Sequence, residues 1–319
     1  MKRILTAALL LMLAWSTPGW AQTGAAAPLK VIIGFPAGGP PDLVLRKIAE
    51  RMAEQTRTSV VVENRPGASG TIAAAAVARA APDGRTLLFG VAANLAVAPA
   101  TMQPPPYDPV QAFTPIVEVA RGPYVLLVRS DAPAASFPEF VAWAKRQPGK
   151  LNYATPGRGS AHHIAMETLR RASGVELVHV PYRSGLYPPL LAGEVQVLLE
   201  SMPGPIPHLQ AGKLRALAVT GAQRLERLPD VPTLAELGVK DMAFNSWWGF
   251  VGPAGMARAQ VESLNAELRR AMADPGLRAT MAGWGIELTP GTPDEFGRYI
   301  AAENQRVKSQ VARIGLTPE

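Results

Sequence analysis

The stretch Val31–Met52, VIIGFPAGGPPDLVLRKIAERM, decides how the rest of the chain is read. Val31, Ile32 and Ile33 are an apolar run too short for a helix and suited to a buried strand. Gly34 to Gly39 form a small-residue turn. Pro40, Pro41 and Asp42 are helix-start residues, because proline suits a first turn and aspartate an N-cap. Leu45, Ile48, Ala49 and Met52 follow at helical spacing. The order is strand, glycine turn, helix. Such a turn aims backbone N–H groups at the positive end of the helix dipole, where an anion fits. It also fits an ordinary βα connection of an α/β domain.

The same order recurs in the second half. Leu151 to Ala154 is a short strand, TPGRGS (155–160) a second glycine turn, and Ala161 to Ser173 a helix. Two such units facing each other would hold one anion from both sides. Between them, SVVVE (59–63) and TLLFG (86–90) read as strands around an alanine-rich helix, Thr71 to Ala80. Alternating strands and helices argue for mostly parallel sheets flanked by helices. Ile116–Val119 and Tyr124–Val128 read as separate strands with a domain crossing between them. LVHVP (177–181), Val195–Leu199 and KLRALAVT (213–220) are further strands, and LPDVPTLAELG leads into a short helix. FNSWWGFV (244–251) is the extended return crossing, followed by helices Met256–Ala273, Pro275–Trp284 and Thr292–Ile314. The expected domains are 28–122 with 248–319, and 123–247.

Composition removes several function classes. The 319 residues are 48% hydrophobic, enough for two domains with large cores. The absence of cysteine excludes disulfides, thiolate metal sites and cysteine nucleophiles, and four histidines make a histidine-rich metal site unexpected. Lys2 and Arg3, the apolar run Ile4–Trp15 and the small-residue end Thr17–Ala21 read as a signal peptide cut after Ala21. That run is shorter than the ~20 residues of a spanning helix. A bacterial periplasm is therefore expected. Losing Lys2 and Arg3 lowers the net charge from +7 to +5, a mild basic bias. No basic run with interleaved aromatics points to nucleic acid.

Catalytic and cofactor motifs fail in detail. GRGSA (157–161) lacks the last glycine of G-x-S-x-G, and Gly34–Gly39 does not match G-x-G-x-x-G. His162 and His163 are adjacent, so on a helix they diverge by about 100° and do not chelate as an i, i+4 pair. No cofactor and no metal are expected. A hydrolase built on Ser160 is the enzyme alternative, with no acid partner placed by sequence.

Taken together, FPAGGPPDLVLRKIAERM, VVENRPGASGTIAAAAVARAAPDGRTLLFG, YDPVQAFTPI, YATPGRGSAHHIAMETL, VHVPYRSG and AGKLRALAVTGAQRLERLPDVPTLAELG carry a resemblance. The chain resembles the substrate-binding proteins of tripartite tricarboxylate transporters, the Bug family, over nearly the whole mature sequence. The resemblance implies a monomeric, non-catalytic, periplasmic two-domain α/β clamp. It would take a small organic carboxylate for membrane transporter subunits or, alternatively, for a sensor kinase. It implies that the glycine turns form a carboxylate pincer, acting largely through backbone N–H groups. On this chain the pincer would be Phe35, Ala37, Gly38 and Gly39 with Asp42 opening the helix, and Thr155, Gly157, Gly159, Ser160, Ala161 and His162. Trp247 or Trp248 would close over the ligand, or else pack at the hinge. Three positions depart from the family pattern. Pro41 replaces a usual Thr or Ser, Ser184 precedes Gly185, and Glu200-Ser201-Met202 replaces a stretch that is often Phe followed by Asp or Asn. A cleft-facing Glu200 would disfavour a second ligand carboxylate.

Overall fold

Strand β1 (Leu29–Ile33) is buried on both faces, which is why its apolar run does not alternate. Val31 and Ile33 enter one core while Ile32 enters another. The computed structural model describes residues 28–182, 185–202 and 204–317. The signal-peptide reading and Ser184 lie outside the described residues. Helix α1 (Pro40–Thr56) follows the first turn, and its Val44, Leu45, Ile48 and Met52 cover the Val31–Ile33 face. Strand β2 (Val60–Asn64), helix α2 (Thr71–Ala78) and strand β3 (Thr86–Val91) complete a parallel trio in the order β2-β1-β3. A π turn (Ala93–Val97) then runs into a single helical turn, α3 (Ala98–Thr101).

One long strand, β4 (Phe113–Arg129), stands where the sequence suggested two. Pro115, Gly122 and Pro123 look like interruptions, but register shifts between Pro115 and Val117 and between Glu118 and Ala120 absorb the irregularity. Up to Pro123 the strand pairs with β9 (Asn245–Pro253), which also pairs with β3. From Tyr124 it changes partners. There it lies between β7 (Val197–Ser201) and β8 (Leu214–Val219).

The second sheet continues through β5 (Leu151–Thr155) to β6 (Leu177–Pro181), both parallel to their neighbours. Parallel pairing thus forms the outer part of each sheet. The crossing strands β4 and β9 are antiparallel to all their partners, which makes the fold mixed α/β. Strand β7 begins two residues later than the sequence suggested and includes Glu200 and Ser201, because Val195 N–H bonds back to Pro189 O.

Helix α4 (Phe137–Arg146) is capped by Ser136, and helix α5 (Ala161–Ser173) follows the second glycine turn. Short helices α6 (Tyr187–Ala192) and α7 (Ile206–Gln210) flank the second sheet. The LPDVPTLAELG segment is turns, not a helix. Leu234 N–H bonds to Val219 O and ties it to the end of β8. Helices α8 (Arg258–Met272), α9 (Pro275–Gly283) and α10 (Pro293–Arg313) close the chain. Phe296, Ile300 and Val307 of α10 share one core with Ile32 and Leu88 of the first sheet and with Leu126, Tyr153 and Leu199 of the second.

Candidate ligand-binding site

Close backbone packing builds the first turn. A Cβ on Gly34 would overlap Gly70 Cα, so both positions require glycine. Gly70 has φ 84°, and a Cβ there would lie 3.0 Å from Asn94 Nδ2 and 3.1 Å from the Phe35 ring. Asn94 Oδ1 accepts Val91 N–H at 2.9 Å, while Tyr107 O–H donates to Asn94 O at 2.6 Å. Gly34, Phe35, Gly70 and Asn94 therefore converge at the C-terminal edge of the parallel strands.

Asp42 is not the N-cap. Gly39 holds that position, with prolines at the next two, and Asp42 is the third helical residue. Its carboxylate reaches back to accept Gly38 N–H at 2.8 Å, and it also takes Arg46 Nε (2.9 Å) and Asn64 Nδ2 (2.8 Å). Its side chain is 1% exposed. Burial opposes its ionisation, but the bonds from Arg46, Asn64 and Gly38 outweigh it and hold the carboxyl below its ordinary range. Asp42 and Gly38 thus satisfy one another inside the turn. Gly39 N–H makes a 3.4 Å bond to Pro36 O, and Pro40 and Pro41 have no N–H.

The second turn repeats this plan. Ser160 is the N-cap of α5: its hydroxyl accepts His163 N–H (3.2 Å) and donates to Gly157 O (2.7 Å). The third helical residue, His163, accepts Gly159 N–H through Nδ1 at 3.1 Å. Thr155 Oγ1 accepts Gly157 N–H at 3.1 Å. The glycine amides expected to grip the anion are thus spent inside the turn. The Ser160 proton goes to the Gly157 carbonyl and not to an imidazole. The N–H groups of Ala37, Ala161 and His162 are bonded to no acceptor among the described residues. Those of Ala161 and His162 lie in the first turn of α5, where intrahelical partners are lacking.

The structure brings the two turns to one segment, Ala92–Thr101. The first approaches it through Asn94. The second does so through Gly159 (φ 72°), where a Cβ would meet Thr101 Cβ at 3.1 Å. Between the sheets, Ala92 and Ala96 face Tyr124, Ala161, Ile164 and Arg306 across a gap of about 10 Å³. That is room for about one water.

His162 and Glu200 also meet. His162 Nε2 is 3.2 Å from Glu200 Oε1, which accepts Ser201 N–H at 2.8 Å as well. The His162 ring stands edge-on to Tyr124 at 5.1 Å. Burial first, then the Glu200 charge, pushes the Tyr124 phenol well above its ordinary range. Sequence reasoning missed Tyr124, although its place just after Pro123 marks the change of strand partners. Trp247 is fully buried, edge-on to Phe296 and Tyr299 at 5.9 and 5.5 Å. It packs the crossing between the sheets. Among the described residues there is no cluster of metal-ligating side chains, and no helix is long and apolar enough to cross a membrane.

Known proteins share this fold. The family model "Tripartite tricarboxylate transporter family receptor" matches residues 44–316. The UPF0065 protein of the tcbD-tcbE intergenic region in Pseudomonas sp. (strain P51) is 34% identical over 292 residues, which cover 91% of this chain and 87% of that protein. The structure of the periplasmic binding protein BugD is 32% identical, with a TM-score of 0.83, and the match covers 92% of this chain and 99% of BugD. An R. palustris protein solved with adipate is 32% identical, with a TM-score of 0.86 and coverage of 92% and 98%. The motifs of both glycine turns, the mixed α/β sheets and these full-length likenesses agree: the chain belongs to the tripartite tricarboxylate transporter receptor family of periplasmic binding proteins.

Proposed function

We propose that this chain is a non-catalytic receptor that closes on a small organic carboxylate and delivers it to a tripartite tricarboxylate-type transporter. One observation carries the reading. Two helix-start turns, one from each sheet, border the same segment and leave the amides of Ala37, Ala161 and His162 for an anion. The proposed domains are 28–122 with 248–319, and 123–247, hinged where β4 changes partners beside Trp247 and Trp248. The ligand contacts both turns only when they approach, so binding shifts the population toward the closed form. The signal peptide would direct export and be cut after Ala21. Phe35, Thr155 and the His162–Glu200 pair would border the rest of the ligand.

Native mass spectrometry of the protein as purified, followed by thermal shifts with adipate, malate, citrate and glutamate, tests this. A ligand at 100 times its Kd adds about 2.7 kcal/mol. A stabilising carboxylate recovered unchanged supports the reading. No response to any of these anions, or turnover of one, overturns it.

A further inference from the structure

The second glycine turn is held from behind by two stacked imidazoles. His163 Nδ1 accepts Gly159 N–H at 3.1 Å, so the neutral ring carries its proton on Nε2. His179, on β6, places Nε2 2.6 Å from Thr155 Oγ1. That hydroxyl accepts Gly157 N–H and faces Gly157 O, both at 3.1 Å. The two rings stack at 4.2 Å, and Tyr153 stacks on His179 at 5.1 Å. Each glycine amide of the turn is therefore fixed by an imidazole, directly or through Thr155.

We infer that His163 and His179 are positioning residues for this turn, and that protonating His163 releases it and weakens ligand capture. The inference rests on the reading that the turn holds the ligand's carboxylate. A protonated His163 would point an N–H at the Gly159 N–H, two donors face to face. The other charged groups around the pair are Glu167 and Arg170 of α5 and Arg158 of the turn, with the Tyr153 phenol on β5. Glu167 favours protonation, but it already takes Arg170 at 2.7 Å and the Tyr153 hydroxyl at 2.7 Å. Burial, reinforced by Arg158 and Arg170, holds His163 below its ordinary value. Burial and the His163 charge bring His179 down to about 4. The turn is thus locked at neutral pH and yields only in acid.

The test begins without ligand, on the full chain labelled with ¹⁵N-glycine and ¹⁵N-histidine. The Gly159 amide is expected to shift with the same midpoint as the His163 imidazole, below pH 6.5, and its hydrogen exchange to accelerate beyond the intrinsic pH trend. An amide that does not follow the imidazole overturns the inference, whatever the ligand is. His163→Asn keeps an acceptor near the Nδ1 position and removes the titration, whereas His163→Phe removes both. Adipate affinity of the wild type is expected to fall by up to tenfold per pH unit below that midpoint, relative to His163→Asn. His163→Phe is expected to bind weakly at every pH. Equal pH profiles for wild type and His163→Asn, or tighter wild-type binding in acid, refute it. Failure of adipate to bind either protein counts against the ligand reading and leaves the amide titration to decide the positioning role.

Discussion

Replacing Gly34 by alanine tests the packing that builds the first turn. The new methyl would overlap Gly70 Cα and lie 2.8 Å from Gly70 O, where carbon atoms prefer about 3.5–4.0 Å. Neither side yields easily. Gly34 directly follows β1, while Gly70 donates to Gly67 O at 2.9 Å and is hemmed in by Asn94 and Phe35. Overpacking costs about 1–3 kcal/mol, and backbone on both sides places this case at about 3. For a chain of this size that lowers Tm by about 5 °C. Two other glycines calibrate the result. Gly38 has φ 80° and open space around a Cβ, so Gly38→Ala costs only the left-handed conformation, about 1–2 kcal/mol. Gly122 has neither a left-handed φ nor a neighbour, so Gly122→Ala stays within about 0.5 kcal/mol. Scanning calorimetry of the ligand-free proteins measures all three. A Gly34→Ala cost no greater than that of Gly38→Ala would refute close backbone packing at Gly34.

Other substitutions probe the turns and the helix that spans the core. Asp42→Asn removes the charge that gathers Arg46, Asn64 and Gly38, and is expected to cost about 2–3 kcal/mol at pH 7 by urea unfolding. The Asp42 carboxyl is held below its ordinary 3.8, so its contribution is full above that pH and is lost as pH falls through the depressed value. The wild-type and variant stability curves should converge there; a constant gap would assign the effect to packing. Glu200→Gln removes the charge beside His162 and is expected to favour dicarboxylates over monocarboxylates by about tenfold, the effect of ~1.4 kcal/mol. Unchanged affinities in calorimetric titrations would end that idea. Thr292→Ala deletes the capping box with Glu295 at the start of α10 and should cost about 1 kcal/mol, read as a Tm loss of about 1–2 °C.

What the sequence made legible was set by local physics. Both strand–turn–helix units were readable because strands buried on two faces form short apolar runs and because helix starts are marked by proline, serine and acidic residues. The continuity of β4 was not, since Gly122 and Pro123 look like a break. Only the tertiary pairing with β9 and then with β7 and β8 shows that one strand serves both sheets.

The use of the glycine amides was hidden for a different reason. Glycine in a turn before a helix suggests an open donor, but every buried amide seeks an acceptor, and the third residue of the helix sits where it can supply one. Gly38 gives its N–H to Asp42 and Gly159 gives its N–H to His163, each four residues on, and each glycine has a left-handed φ. This Gly-x-x-x-acceptor spacing was visible in both stretches and is the signal that could have found the arrangement. It divides the labour within each turn. The glycines bend the chain and are fixed by the helix, which leaves the amides of Ala37, Ala161 and His162 for the carboxylate of the proposed function. On that proposal the binding geometry depends on two buried acceptors, one a carboxylate and one an imidazole, neither of which is expected to touch the ligand.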